Sequence, residues 1–203
     1  DTLSGSPGWA AAGGATIGGT DAAKTAATTS SSDLVGLQRT VDLRHSGFES
    51  TTDLQLNTDW AISVDVHAGG ANNAYSGVIA AEADGSNYYA LRVSKTNGGT
   101  SSLVEVASGS PTTQASATAD VHTGTGRVKL YRKGDRWGAV VGGQHFYFDD
   151  TTPPTPRLLA IFGAPASSGT SSYQYDDLVI CNGNTLEVAG LASGEAARIY
   201  DSA

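Results

Sequence analysis

Val128-Lys129-Leu130-Tyr131-Arg132-Lys133-Gly134-Asp135-Arg136-Trp137-Gly138-Ala139-Val140-Val141 decides how the chain folds. Two runs rich in β-branched and aromatic residues flank a polar Lys-Gly-Asp centre. That is the pattern of a β-hairpin in which Gly134 supplies the positive φ of a tight turn. On a period of two, Val128, Leu130, Trp137, Ala139 and Val141 share one face, while Lys129, Tyr131 and Lys133 fall on the other. One dry face and one wet face mark an antiparallel sheet packed on one side and solvated on the other.

The same alternation recurs on both sides of this hairpin. Trp60-Ala61-Ile62-Ser63-Val64-Asp65-Val66-His67 places Trp60, Ile62, Val64 and Val66 inward and Ser63, Asp65 and His67 outward. Ser76 to Glu82 reads as pairing with Tyr88 to Ser94 through the turn Asp84-Gly85-Ser86-Asn87. Leu103 to Val106, Gln144 to Phe148, Leu158 to Gly163 and Tyr175 to Ile180 supply further strands, and Pro153 to Pro156 a rigid loop. A Ser/Thr/Ala stretch up to Asp120 precedes the hairpin. Near the start, the Gly pairs within Ala10 to Gly19 each cost about 1 kcal/mol per residue in a helix interior, which favours extended strands anchored by Trp9 and Ile17. Asp33 to Leu43 and Asp53 to Leu56 also read as strands. Short strands at regular intervals with no helical period between them select an all-β sandwich, jelly roll or barrel. Residues 1–181 form that domain. Residues 182–203 read as a linker and a C-terminal β-hairpin that either packs on the sandwich or begins a further domain.

Composition narrows the partners. The chain has 203 residues, 39% hydrophobic and 16% charged, with 26 Gly, which suits short strands and many turns. A formal net charge of -8 argues against non-specific attraction to nucleic-acid phosphates or insertion into anionic membranes, and leaves neutral glycans or other proteins. Cys181 is the only cysteine, so no intramolecular disulfide forms, and its place after Leu178-Val179-Ile180 suggests a small buried hydrophobe. No segment approaches the ~20 apolar residues of a membrane helix. The chain begins at Asp1 and contains no Met, as expected of a polypeptide with its leader removed or of part of a longer one.

Motifs for common chemistries are missing. There is no Gly-x-Ser-x-Gly elbow, P-loop, zincin helix or EF-hand loop, and His45, His67, His122 and His145 are dispersed.

The order of the remaining elements resembles the concanavalin A-like lectin/glucanase superfamily, which includes laminin-G-like modules. The resemblance is carried by the early Trp9, the Asn87 to Val93 strand (Asn-Tyr-Tyr-x-Leu-x-Val), the Arg132 to Asp135 hairpin tip, the Leu159 to Gly163 strand and the closing Tyr175 to Ile180 strand. It implies a two-sheet antiparallel jelly-roll sandwich whose concave face holds glycan. Retaining glucanases of this superfamily carry Glu-x-Asp-x-Glu on one strand, setting two carboxylates at the ~5 Å separation that double displacement needs. The nearest stretch here, Ser63-Val64-Asp65-Val66-His67, has one carboxylate and no Glu, so no catalytic residue is expected.

These readings lead to a non-catalytic, extracellular recognition module. Its expected ligand-binding set is Asp65, His67, Tyr88, Arg92, Lys129 and Tyr131, where an aromatic stacks on the apolar side of a pyranose and polar neighbours bind its hydroxyls. The simpler expectation for the same face is a solvated sheet with Asp65 paired to Arg92 or Lys129. Asp176 and Asp177, with Asp1 from a terminal strand, offer an oxygen-rich Ca²⁺ site, as several members of the superfamily have in a comparable place. The alternative function is a structural or adhesive component of a virion, fibre or cell surface that binds no sugar and forms a homo-oligomer or larger assembly.

Overall fold

The computed structural model describes residues 9–12, 15–18, 22–26, 46–50, 58–67, 75–81, 87–108, 110–152, 158–164, 172–182 and 185–188. All regular structure among them is β. In chain order the strands are β1 (Trp9–Ala12), β2 (Ala15–Gly18), β3 (Ala22–Ala26), β4 (Ser46–Ser50), β5 (Asp59–His67), β6 (Tyr75–Ala81), β7 (Tyr88–Ser94) and β8 (Thr100–Ala107). They continue with β9 (Ser110–Thr118), β10 (Thr125–Lys133), β11 (Arg136–Val141), β12 (Gln144–Asp149), β13 (Leu158–Ala164), β14 (Ser172–Asn182) and β15 (Thr185–Val188). They form two antiparallel sheets. One is seven-stranded in the order β1-β4-β13-β6-β7-β8-β9; the other is eight-stranded, β12-β11-β10-β5-β14-β3-β2, with β15 added beside β14. The non-sequential neighbours are those of a jelly-roll sandwich.

The deciding hairpin folds as its pattern requires. Lys133 pairs with Arg136, leaving a two-residue loop whose first central residue, Gly134, has φ +58°. Val128, Leu130, Trp137, Ala139 and Val141 are all fully buried. β10 pairs on its other edge with β5, Leu130 opposite Ile62 and Val128 opposite Val64, so both strands turn the same apolar side inward. The residues of β5 alternate between buried and part-exposed along its length. Burying each such Val, Leu or Ile contributes about 1.5–3 kcal/mol, and the continuous stripe across β11, β10 and β5 fixes the register. A slip of one residue would turn every one of these side chains to water.

The seven-stranded sheet meets this stripe with Tyr89, Leu91, Val93, Leu103 and Ile161. At the centre of the contact Tyr89 stacks on Trp137 at 3.9 Å between ring centroids, and Trp60 meets Trp137 edge-on at 5.0 Å. The Tyr89 hydroxyl donates to the Asp150 carboxylate, which satisfies a buried donor. That acceptor and burial push the Tyr89 phenol far above its usual range, with burial the larger cause.

Two features depart from the sequence reading. β7 is buried on both faces except at Arg92, because Tyr88 and Ala90, which alternation sets opposite Tyr89 and Leu91, are also buried. And Ser110–Thr118, part of the Ser/Thr/Ala stretch, is a nine-residue edge strand almost wholly exposed. Its apolar alternation is confined to Ala115 and Ala117, which pack at the edge of the core, and its pairing with β8 through eight residue pairs holds the rest extended.

Several expected elements lie outside the described residues: the strands in Asp33 to Leu43 and Asp53 to Leu56, the Pro153 to Pro156 loop, and the tail beyond Val188. Within the tail, Thr185–Val188 pairs with β14, Thr185 opposite Asn182.

Candidate functional site: the open face of the eight-stranded sheet

Register assembles the site from rows that run across the strands. Residues paired on neighbouring strands point to the same side, so the outward side chains of β5, β10, β11 and β12 form one surface. The central row is Cys181, Ala61, Tyr131, Gly138 and Tyr147. The row beside it is Val179, Ser63, Lys129, Val140 and His145. Towards the Gly134 turn lie Asp59, Lys133, Arg136 and Asp149; towards the other end, Asp65 with Arg127 and His67 with Thr125.

Gly138 shapes the centre of this surface. A Cβ at that position would stand 2.2 Å from Cζ and 2.3 Å from the hydroxyl of Tyr131, so the Tyr131 ring lies across the backbone of β11 and only glycine leaves room for it. Across the same glycine stands Tyr147, which is 52% exposed although it is a large ring. Two tyrosines thus frame a flat, half-apolar shelf over adjoining strands. The Arg136 guanidinium sits 4.1 Å from the Tyr147 centroid and holds Asp149 in a two-pronged pair, Nε to Oδ1 at 2.8 Å and Nη2 to Oδ2 at 3.2 Å. Hydrogen bonding to Arg136 keeps the Asp149 carboxyl below the usual carboxylate range. At the far end Arg127 Nη1 donates to Asp65 Oδ1 at 3.0 Å and its Nη2 to Ser63 Oγ at 3.4 Å.

The six residues expected to bind ligand divide between two sheets. Asp65, His67, Lys129 and Tyr131 share this face, on paired strands. Tyr88 and Arg92 belong to β7 in the other sheet, and Tyr88 is 1% exposed, so the structure corrects their inclusion in the same surface. The reason is that β7 has no wet face at Tyr88, and alternation counted from an assumed wet face misassigns it. Arg92 instead lies over the Tyr75 ring at 3.7 Å from its centroid. The ion pair expected between Asp65 and Arg92 or Lys129 is made by Arg127, directly opposite Asp65.

His67 is tied down on two sides. Its Nδ1 lies 3.1 Å from Thr125 Oγ1, and its carbonyl accepts from the buried Lys95 ammonium. Cys181 is half-buried in the central row and not part of the core. The residues missed from sequence are Tyr147, Arg136 and Arg127. Tyr147 was legible as the outward position between inward Phe146 and Phe148; the pairing of Arg127 with Asp65 depends on the register of strands sixty residues apart in the chain and was not.

At the end of this face β14 bulges. Asp176 pairs with Asp65 and Val179 with Ser63, so Asp177 and Leu178 together oppose Val64, and Asp177 takes a left-handed φ of +48°. Leu178 is thereby kept in the core while Asp177 is exposed. Among the described residues no three His, Cys, Asp or Glu side chains are grouped to hold a metal ion. Of the expected calcium ligands, Asp1 and the Asp176 side chain lie outside the described residues.

No family model matches the chain, and no curated protein sequence matches it. Solved structures do. A carbohydrate-binding module, CBM66 from Bacillus subtilis, is 13% identical with a TM-score of 0.57, covering 88% of this chain and 98% of the module. The β-glucanase of Bacillus licheniformis is 10% identical with a TM-score of 0.58, covering 87% of each chain. The GH43 protein BlXynB from Bacillus licheniformis is 15% identical with a TM-score of 0.55 over 78% of this chain, which spans only 32% of that protein. At such identities the likeness is one of architecture, and with the strand order above it establishes that the chain has the concanavalin A-like jelly-roll fold.

Proposed function

We propose that the protein is a non-catalytic, extracellular glycan-recognition module that takes its ligand on the open face of the eight-stranded sheet. The observation that carries this reading is the Tyr131–Gly138–Tyr147 shelf, in which a glycine makes room for one ring to lie flat and a second large ring is left 52% exposed beside it. Tyr131 is part-exposed and Tyr147 exposed on strands whose inward residues Leu130, Ala139 and Phe146 are buried, so the two rings keep apolar surface that a ligand can cover. Around them Ser63, Asp65, Lys129 and Arg136 present donors and acceptors for hydroxyl groups. The likeness to a carbohydrate-binding module supports the same reading.

Immobilised polysaccharides and a glycan array test it. Binding that is lost in Tyr131→Ala and Tyr147→Ala, with melting temperatures unchanged, is the expected result. A blank array from a protein that assembles into large homo-oligomers would contradict it and favour a structural or adhesive role.

A further inference from the structure

The charges of the shelf bear on the class of ligand it suits. The chain as a whole carries a net charge of -8, yet five of its twelve Lys and Arg residues, Arg127, Lys129, Arg132, Lys133 and Arg136, lie on the β10–β11 hairpin. Alternation puts all but Arg132 on the open face.

Two of these four are already neutralised, Arg127 by Asp65 and Arg136 by Asp149. Lys129 and Lys133 are exposed and make no ion pair among the described residues. Asp59, which faces Lys133 across the sheet, uses its Oδ1 to accept from the Gly134 amide at 2.8 Å. These two lysines stand on either side of Tyr131, each roughly 6–7 Å along the strand. The Lys129 Nζ is 5.6 Å from the Tyr131 ring centroid.

The two central rows hold no carboxylate. Of Cys181, Ala61, Tyr131, Gly138 and Tyr147, then Val179, Ser63, Lys129, Val140 and His145, Lys129 is the one Lys or Arg, and Arg136, which lies over Tyr147 from the next row, is already held by Asp149. A neutral sugar gains nothing from an unpaired ammonium beside its stacking platform that a hydroxyl would not supply. A sugar bearing a carboxylate gains a charge-assisted hydrogen bond. Resting on the glycan-recognition reading above, we infer that the ligand is an anionic glycan whose carboxylate meets Lys129 while its ring lies on Tyr131 and Tyr147: a polyuronate and not a neutral polysaccharide.

The test uses the full chain in affinity electrophoresis and calorimetry with polygalacturonate, its carboxyl-reduced galactan, dextran sulfate and dextran. Polygalacturonate is expected to bind at least tenfold tighter than the reduced polymer. Lys129→Gln should lose about tenfold on polygalacturonate and nothing on the reduced form, and raising salt from 50 to 500 mM should weaken only the former. Arg92→Gln makes the same charge change on the other sheet and should leave binding as it was, which separates a placed contact from general attraction. Equal or tighter binding of the reduced polymer, still sensitive to Tyr131→Ala, overturns the anionic assignment and leaves the shelf standing. Preference for dextran sulfate over polygalacturonate replaces carboxylate by sulfate and overturns the polyuronate. No binding across a wide neutral and acidic panel overturns both.

Discussion

β5 and β7 are both central strands of their sheets, and they present opposite kinds of surface. The residues of β5 alternate buried and part-exposed along its length and open one side to water; those of β7 are buried on both sides but for Arg92. A strand of the first kind offers polar groups and rings to a ligand at the cost of leaving them hydrated. A strand of the second kind contributes packing and has nothing free to offer. The contrast is why the proposed site lies where it does: among the described residues one sheet carries part-exposed tyrosines and two ammoniums without an ion pair, and the other is buried on both sides at its centre.

The largest effect that sharpens this contrast is at the contact between the sheets. Trp137 is fully buried between Tyr89 and Trp60, so Trp137→Ala should lower stability by about 3–5 kcal/mol in urea titration. Tyr131→Ala, on the same hairpin but on the wet side, should lower it by less than about 1 kcal/mol. Equal losses would erase the distinction between the faces.

Next come two lysines. Lys95, directly after β7, is 6% exposed and donates to the His67 carbonyl, and burial lowers its pKa to about 8. Its folded-state value lies below its unfolded value of about 10.5. Between those pH values the unfolded chain binds more protons, so stability should rise from pH 8 toward pH 10, by an amount on the order of 2–3 kcal/mol. Above about pH 10 Tyr89 opposes the trend, because its phenol stays protonated only in the folded protein. Urea midpoints at pH 7.5 and 9.5 check this: Lys95→Met should flatten the difference, whereas Lys129→Met, at an exposed site, should leave it intact.

How much of this was visible in the sequence follows from the same comparison. The hairpin from Val128 to Val141 and the strand from Trp60 to His67 alternate because each has one wet side, and their faces were assigned correctly to the residue. Four of the six expected ligand-binding residues sat on such strands and came together. Tyr88 was misplaced because Tyr88-Tyr89-Ala90-Leu91 is apolar on both sides, and periodicity cannot tell which ring faces the core. β9 escaped notice because its inward pattern is only Ala115 and Ala117, two small side chains, and the rest of this exposed Ser/Thr edge strand is held by backbone pairing to β8, which leaves no trace in side-chain pattern. The place of Tyr131 over Gly138 required the cross-strand register, although a lone glycine inside a strand is itself a signal of close approach.

Smaller effects probe the shelf itself. Gly138→Val should force the Tyr131 ring off the β11 backbone; glycan affinity should fall about tenfold, close to 1.4 kcal/mol, while the protein stays folded. An unchanged affinity would show that the flat placement of that ring is not used. Smallest of all is the Arg127–Asp65 pair, exposed at the rim, where a double-mutant cycle of Arg127→Ala and Asp65→Ala should return about 0.2–1 kcal/mol of coupling in stability.

The claim that the open face of the eight-stranded sheet is the functional surface is tested most directly by calorimetry with one bound glycan on three proteins: wild type, Tyr131→Ala with Tyr147→Ala, and Arg92→Gln. The double variant should lose the binding heat altogether, and Arg92→Gln should match wild type. Retained binding in the double variant, with loss in Arg92→Gln, would contradict that claim and move the site to the seven-stranded sheet.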